Sequence, residues 1–243
     1  MGHKVSPLLL RLGIHQTWRS RWFAPGKRTY RTYLQEDIRI REFLKSELRQ
    51  AAVGKVEIER SPERVRLLIH TARPGMLIWR RGENIQRIQD TVTKMLGAQK
   101  QLKVDYVEIQ NPHLDANLLA ESIAFQLEKR IAHRRAMKRI LQQAMESGAK
   151  GIKIVCAGRL GGSEMKRRES YKEGKVPSGT LRSNIEFGTA TAQTPTGCIG
   201  IKVWLYKGDV IKEVQSKNPA AAAAATEPAV ASSGDPAGAA QGA

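Results

Sequence analysis

The chain is 243 residues long and sets 41 Lys and Arg against 23 Asp and Glu, a formal net charge of +18. A hydrophobic content of 41% provides for a buried core and excludes a wholly disordered basic protein, while two cysteines exclude a disulfide scaffold. Charge of this size concentrates polyanions around the molecule, which makes nucleic acid the leading partner class.

The first 35 residues hold seven Lys or Arg, among them Lys4, Arg11 and Arg21, and no acid. Trp18, Trp22, Phe23, Tyr30 and Tyr33 are interleaved with them. Two readings stand: a segment that lies on RNA, neutralising phosphates and stacking on bases, or an arm whose aromatics pack on their own domain. Pro7 and Arg11 interrupt the apolar Val5, Leu8, Leu9 and Leu10, which argues against a signal peptide. No apolar run approaches the roughly 20 residues needed to cross a bilayer, so the expected location is the cytoplasm, with no membrane partner.

Helical spacing begins near Leu34 and continues through Ile38, Phe43, Leu44 and Leu48 to Gly54. Residues 55–60 and 64–70 read as two strands around Ser61-Pro62, a hairpin. After Pro74 come a short apolar stretch, a polar turn ending at Gly82, and a helix with Ile85, Ile88, Val92 and Leu96 on one face; residues 102–109 read as a third strand. Asn111-Pro112 marks a boundary. Beyond it Ala120, Ile123, Leu127 and Ile131 form one helical stripe and Met137, Ile140, Leu141 and Ala144 another, out of phase, so two helices meet near Ala132-His133. Strands are predicted at 151–157, around 164–171, at 183–192 and at 198–206. Strand parity puts Cys156 beside Ile152 and Ile154 and Cys198 on the opposite, polar face, which predicts two free thiols. From Lys217 the chain turns to Ala, Pro, Gly and Ser, a composition that cannot offset its own ordering entropy and predicts a disordered tail.

Trp79-Arg80-Arg81-Gly82 lies between two helices at the place of the Gly-x-x-Gly loop of a KH domain, where glycine lets an RNA backbone approach and basic residues meet phosphate. Further motifs follow in order: Met-Gly-His-Lys-Val-Ser-Pro at the start, Arg11-Leu12-Gly13, Ser20-Arg21-Trp22-Phe23, Thr71-Ala72-Arg73-Pro74-Gly75, Arg134-Arg135-Ala136-Met137-Lys138-Arg139, Gly148-Ala149-Lys150-Gly151-Ile152-Lys153, Gly158-Arg159-Leu160-Gly161-Gly162 and Val203-Trp204-Leu205-Tyr206-Lys207-Gly208. Together they resemble the bacterial family of small-subunit ribosomal protein three, from Met1 to about Val210. The resemblance implies an α+β chain: an N-terminal arm (1–33), a type II KH domain (34–110), a second α/β domain of two helices on a small, mostly antiparallel sheet (111–215), and a disordered Ala-rich tail (216–243). It implies a structural constituent of the small ribosomal subunit, bound to ribosomal RNA in the head among neighbouring ribosomal proteins and beside the channel by which messenger RNA enters.

The family usually carries Gly at the positions of Trp79 and Leu9. Trp79 brings bulk where an RNA backbone would come closest, so Arg80, Arg81 and Gly82 are the expected loop contacts, and Trp79 is either a stacking residue or a hydrophobic cap. The resemblance places Arg134, Arg135 and Lys138, joined by Arg139, against incoming message. Between Lys129 and Met145 six cations occur without an acid, whereas a solvated helix face normally interleaves both signs. Lys4, Arg11 and Arg21 in the arm and Arg159, Lys166, Arg167 and Arg168 in the second domain are further expected RNA contacts, with a solvated basic hairpin as the alternative for the last group.

The turn at Gly158–Ser163 lacks the Gly-Lys-Ser/Thr ending of a phosphate-binding loop. The five histidines are scattered, and no Gly-x-Ser-x-Gly or HExxH spacing occurs. Neither catalytic residue, metal nor cofactor is expected, and His70, in an apolar strand, is read as a satisfied structural residue. A free KH regulator is the rival reading; it needs one basic groove, whereas basic residues here recur along the whole chain.

Overall fold

Spacing of apolar residues fixes the N-terminal half of the computed structural model, which describes residues 5–61, 64–75, 83–96 and 101–210. A single turn, Pro7–Leu10 (α1), and a two-residue strand, Ser20–Arg21 (β1), precede a long helix, Lys27–Glu47 (α2). That helix begins seven residues before the expected Leu34. Its inward stripe is Asp37, Ile40 and Leu44, spaced three and four residues apart, and Ile38 faces out.

Strands Val53–Arg60 (β2) and Arg64–Thr71 (β3) pair antiparallel, Ile58 opposite Leu67. After the helix Glu83–Leu96 (α3), the strand Gln101–Glu108 (β4) returns parallel to β3, so the sheet order is β1-β2-β3-β4. The described elements follow the expected type II KH order, while most of the short helix and the turn expected between Pro74 and Gly82 lie outside the described residues. Ile40, Leu44, Ile58, Val65, Leu67, Ile69, Ile88 and Val92 close one core between α2, α3 and the sheet. Fully burying each aliphatic side chain contributes about 1.5–3 kcal/mol.

A second core lies beneath two helices, Ala116–Glu128 (α4) and His133–Glu146 (α5), which break as expected at Ala132. Asp115 caps α4, its Oδ1 accepting from the amides of Asn117 at 2.8 Å and Leu118 at 3.2 Å. The helices cover one face of a fully antiparallel sheet of Gly151–Gly158 (β5), Arg167–Gly174 (β6), Ser183–Thr194 (β7) and Gly197–Asp209 (β8), in the order β6-β5-β8-β7. The second strand starts at Arg167, later than the expected 164. Gly188 lets α4 sit directly on β7, because a Cβ there would lie 2.2 Å from the Ala116 carbonyl oxygen. Cys156 is buried and Cys198 exposed, both unpaired, and burial pushes the Cys156 thiol up to about 12.

Helix α4 meets the first half of the chain through polar contacts. Asn117 Nδ2 donates to the Gly54 carbonyl at 2.9 Å, and Arg49 Nη2 reaches both Glu128 carboxylate oxygens at 2.7 Å. Residues 211–243, which include all of the expected tail, lie outside the described residues. Among the described residues no helix is long and apolar enough to cross a membrane.

Candidate nucleic-acid interface

Helix α5 sorts its residues by period. Ala136, Met137, Ile140, Leu141 and Ala144 are buried against the sheet, which forces Arg134, Arg135, Lys138 and Arg139 together on the exposed side. With Gln142 these four line one shallow open groove of about 550 Å³. Ala132, which precedes the helix, offers no side-chain cap, so the positive end of the helix dipole adds to the field of the first-turn arginines. The grouping expected from sequence is therefore present for these four. Lys129 and Arg130 fall elsewhere: both stand in the link between α4 and α5, Lys129 with its ammonium 4.3 Å from the Phe125 ring centre and Arg130 at φ 61°.

One acid reaches the patch from another strand. Glu169 on β6 accepts from Arg134 at 3.4 Å, contacts His133 Nε2 at 3.0 Å and pairs with Arg167 at 2.8 Å. The Arg134 hydrogen bond, with the charge of His133, holds the Glu169 carboxyl below the usual carboxylate range against the opposing effect of burial, and Glu169 in turn raises Arg134. Sequence reasoning missed Glu169 because it lies 35 residues from Arg134. Strand parity carried the signal: Glu169 pairs with Cys156 and Tyr171 with Ile154, so both turn toward the helices.

The other expected contacts are divided among several surroundings. Arg11 is a correction. It is fully buried, its Nε donating to the Ser183 carbonyl at 2.6 Å and its terminal nitrogens to the carbonyls of Pro7 at 2.9 Å and Thr180 at 2.8 Å, so it binds protein, not RNA. Burial lowers its pKa. It clamps the arm to the loop before β7. Arg21 is exposed and lies 3.5 Å from Glu59. Arg159 closes its turn, donating to the Ser163 and Thr196 carbonyls at 2.9 and 3.0 Å. Lys166, Arg167 and Arg168 are all exposed, but Arg168 lies on the sheet face opposite the helices. These residues do not form one patch. Lys4 and the loop residues Trp79, Arg80, Arg81 and Gly82 lie outside the described residues.

The arm's aromatics divide in the same way. Trp22 packs against Tyr30 and Tyr33 with ring centres 5.3 and 5.7 Å apart, and its Nε1 donates to Asp37 at 2.9 Å. Asp37 also accepts from Ser20 Oγ at 3.1 Å and from Arg60 Nε at 2.8 Å. These three rings therefore serve the arm's own domain, because α2 starts early enough to carry both tyrosines. Trp18 and Phe23 remain exposed, and Tyr30, though it packs on Trp22, is half exposed as well. His70 is another correction: its Nε2 is buried without a hydrogen bond, 3.6 Å from Glu57. Among the described residues no three His, Cys, Asp or Glu side chains converge as metal ligands.

Comparison with known proteins agrees with this architecture. The KH domain model matches residues 39–114, and the model of the ribosomal protein S3 C-terminal domain matches residues 123–205. Small ribosomal subunit protein uS3 of Parvibaculum lavamentivorans is 51% identical over 212 residues, covering 87% of this chain and 89% of its own length. The protein of the same name from Desulforamulus reducens is 51% identical over 221 residues, 91% of this chain and 98% of that one. That of Desulfosudis oleivorans is 49% identical over 218 residues, 90% of this chain and 100% of that one. With both domain models matched in order and half of all residues shared across nearly full lengths, the chain belongs to the uS3 family, a family of structural, non-enzymatic ribosomal proteins.

Proposed function

We propose that this chain is an RNA-binding structural constituent of the small ribosomal subunit in the cytoplasm, seated on ribosomal RNA in the head among neighbouring ribosomal proteins, and that α5 meets messenger RNA as it enters. The observation that carries the second half is the cluster of Arg134, Arg135, Lys138 and Arg139 on the exposed side of a helix whose opposite side is locked into a core. Point charges on a rigid helix hold phosphates without reading bases, which suits a strand that has to slide. In this reading Arg80, Arg81 and Gly82 of the KH loop, with Lys4, Arg21, Arg159, Lys166, Arg167 and Arg168, meet RNA as well. No step needs a cofactor or a metal.

The test replaces Arg134, Arg135 and Lys138 together with Ala. Assembly of the subunit is expected to stay nearly intact, while translation through a stable downstream hairpin slows more than translation of unstructured message. Equal slowing on both messages, or loss of the chain from the subunit, would overturn the message-contacting role and make the patch a ribosomal RNA anchor.

A further inference from the structure

The sheet of the second domain has a face turned away from α4 and α5, buried at one end where Ile185 and Tyr206 lie side by side. Ile152, Ile154, Cys156, Ile201, Val203 and Leu205 point into the core under α4 and α5. Their alternates along each strand point the other way. There the strand register sets Lys172, Lys153, Trp204 and Phe187 side by side in one row across all four strands. Lys202 stands in the next row, and Arg168 in the one beyond. Small, hydroxyl-bearing or aliphatic residues fill the remaining positions, and no acid stands on these three rows. Trp204 and Phe187 have ring centres 5.2 Å apart and tilted by 45°, and Lys153 Nζ lies 5.6 Å from the Trp204 ring centre.

We propose that this open face holds a single-stranded segment of ribosomal RNA, its bases stacked on Trp204 and Phe187 and its phosphates met by Lys153, Arg168, Lys172 and Lys202. The inference rests on the ribosomal reading above and adds a second RNA surface to it, on the side of the domain away from α5. Four cations without a counter-acid match a polyanion. A protein partner fits poorly, since lysine is depleted from the buried parts of protein interfaces. An aromatic pair on a β-sheet takes unstacked bases, as in other sheet-based RNA binders, and a continuous duplex does not offer them. Stacking also holds a base in place, which favours a fixed ribosomal strand over a message that has to move.

The experiment uses small subunits carrying the full chain, irradiated with ultraviolet light with and without bound message and then digested with trypsin. The peptide Val203–Lys207, which contains Trp204, is expected to carry a ribosomal RNA adduct in both arms. In parallel, the full-length triple variant Arg168→Ala, Lys172→Ala, Lys202→Ala is titrated with unstructured RNA at several salt concentrations. Each lost phosphate contact on a single strand lowers the slope of log affinity against log salt by about 0.7, so the variant's slope is expected to be shallower by about 2. An adduct with message alone overturns the assignment to ribosomal RNA. An unmodified peptide together with an unchanged salt slope overturns the RNA surface altogether, as does a neighbouring protein found covering the face. Failure of the chain to enter subunits would instead sink the ribosomal reading, which keeps the two failures apart.

Discussion

Glu169 on β6 stands 3.0 Å from His133, the first residue of α5, and so binds the basic helix to the edge of its own sheet. The same carboxylate also holds Arg134, which makes it an internal competitor for the phosphate that Arg134 would otherwise meet. Glu169→Gln removes the negative charge while keeping the shape. The variant is expected to bind unstructured RNA a few-fold more tightly, with a salt slope steeper by about 1.4 for the two arginines released, Arg134 and Arg167. Filter binding across a salt series measures both. Weaker binding would mean that Glu169 chiefly orients Arg134.

Arg11→Met tests the arm's clamp. Carbonyls that accept from a buried guanidinium lose a charge-assisted donor, which costs roughly 3 kcal/mol in total. For a chain of this size that lowers the melting temperature by about 6–12 °C. Arg21→Met, at an exposed pair, is expected to stay within about 0.5 kcal/mol of the parent. Similar melting curves for both variants would remove the clamp from the account.

Asp37 joins β1 to α2 and neutralises Arg60, whose side chain is only 2% exposed. Asp37→Ala leaves a buried cation with Glu36 as its remaining partner. The expected loss is about 3–5 kcal/mol, with a change in the fluorescence of Trp22 as its hydrogen bond to Asp37 disappears. A urea titration followed by circular dichroism and by fluorescence gives both numbers.

His70 provides a pH test. Burial lowers its pKa, Glu57 only partly offsetting the effect, so the folded state resists protonation more than the unfolded chain does. Above the unfolded value of about 6.5 both states are neutral and His70 contributes nothing. As pH falls below it, the unfolded chain takes up the proton first and stability drops. His70→Gln is therefore expected to lose less stability than the parent between pH 7.5 and 5.5, measured as the urea midpoint. Equal losses would place the titration elsewhere.

Alternation and helical period made most of the architecture legible: the break at Ala132, the hairpin of β2 and β3, and the opposite faces of Cys156 and Cys198 all follow from local pattern. What stayed hidden depends on pairings distant along the chain. A lone arginine in a basic arm looks like a surface cation, and only the carbonyls around Ser183 reveal Arg11 as buried. Trp22, Tyr30 and Tyr33 carry the composition of an RNA-stacking arm, yet the start of α2 at Lys27 sets both tyrosines against Trp22, which bonds to Asp37. The patch on α5 was readable because a single helix supplies all four cations, whereas its counter-charge, Glu169, needed the register of β6. Arg168 and Lys172 were legible as basic but not as sharing a face with Trp204, since that grouping exists only once four strands are aligned.

Arg11 also ties the arm to the timing of synthesis. Its carbonyl partner at Ser183 lies 172 residues later in the chain. At about 5–20 residues per second, a growing chain makes that partner roughly 10–30 s after the arm. Throughout that interval Arg11 lacks its partners in the second domain, while β1 and Trp22 can already close onto the KH core. The turn Pro7–Leu10 is thus fixed last, and a product that stops short of Thr180 is expected to leave that turn open to protease even where its first sheet is fully formed.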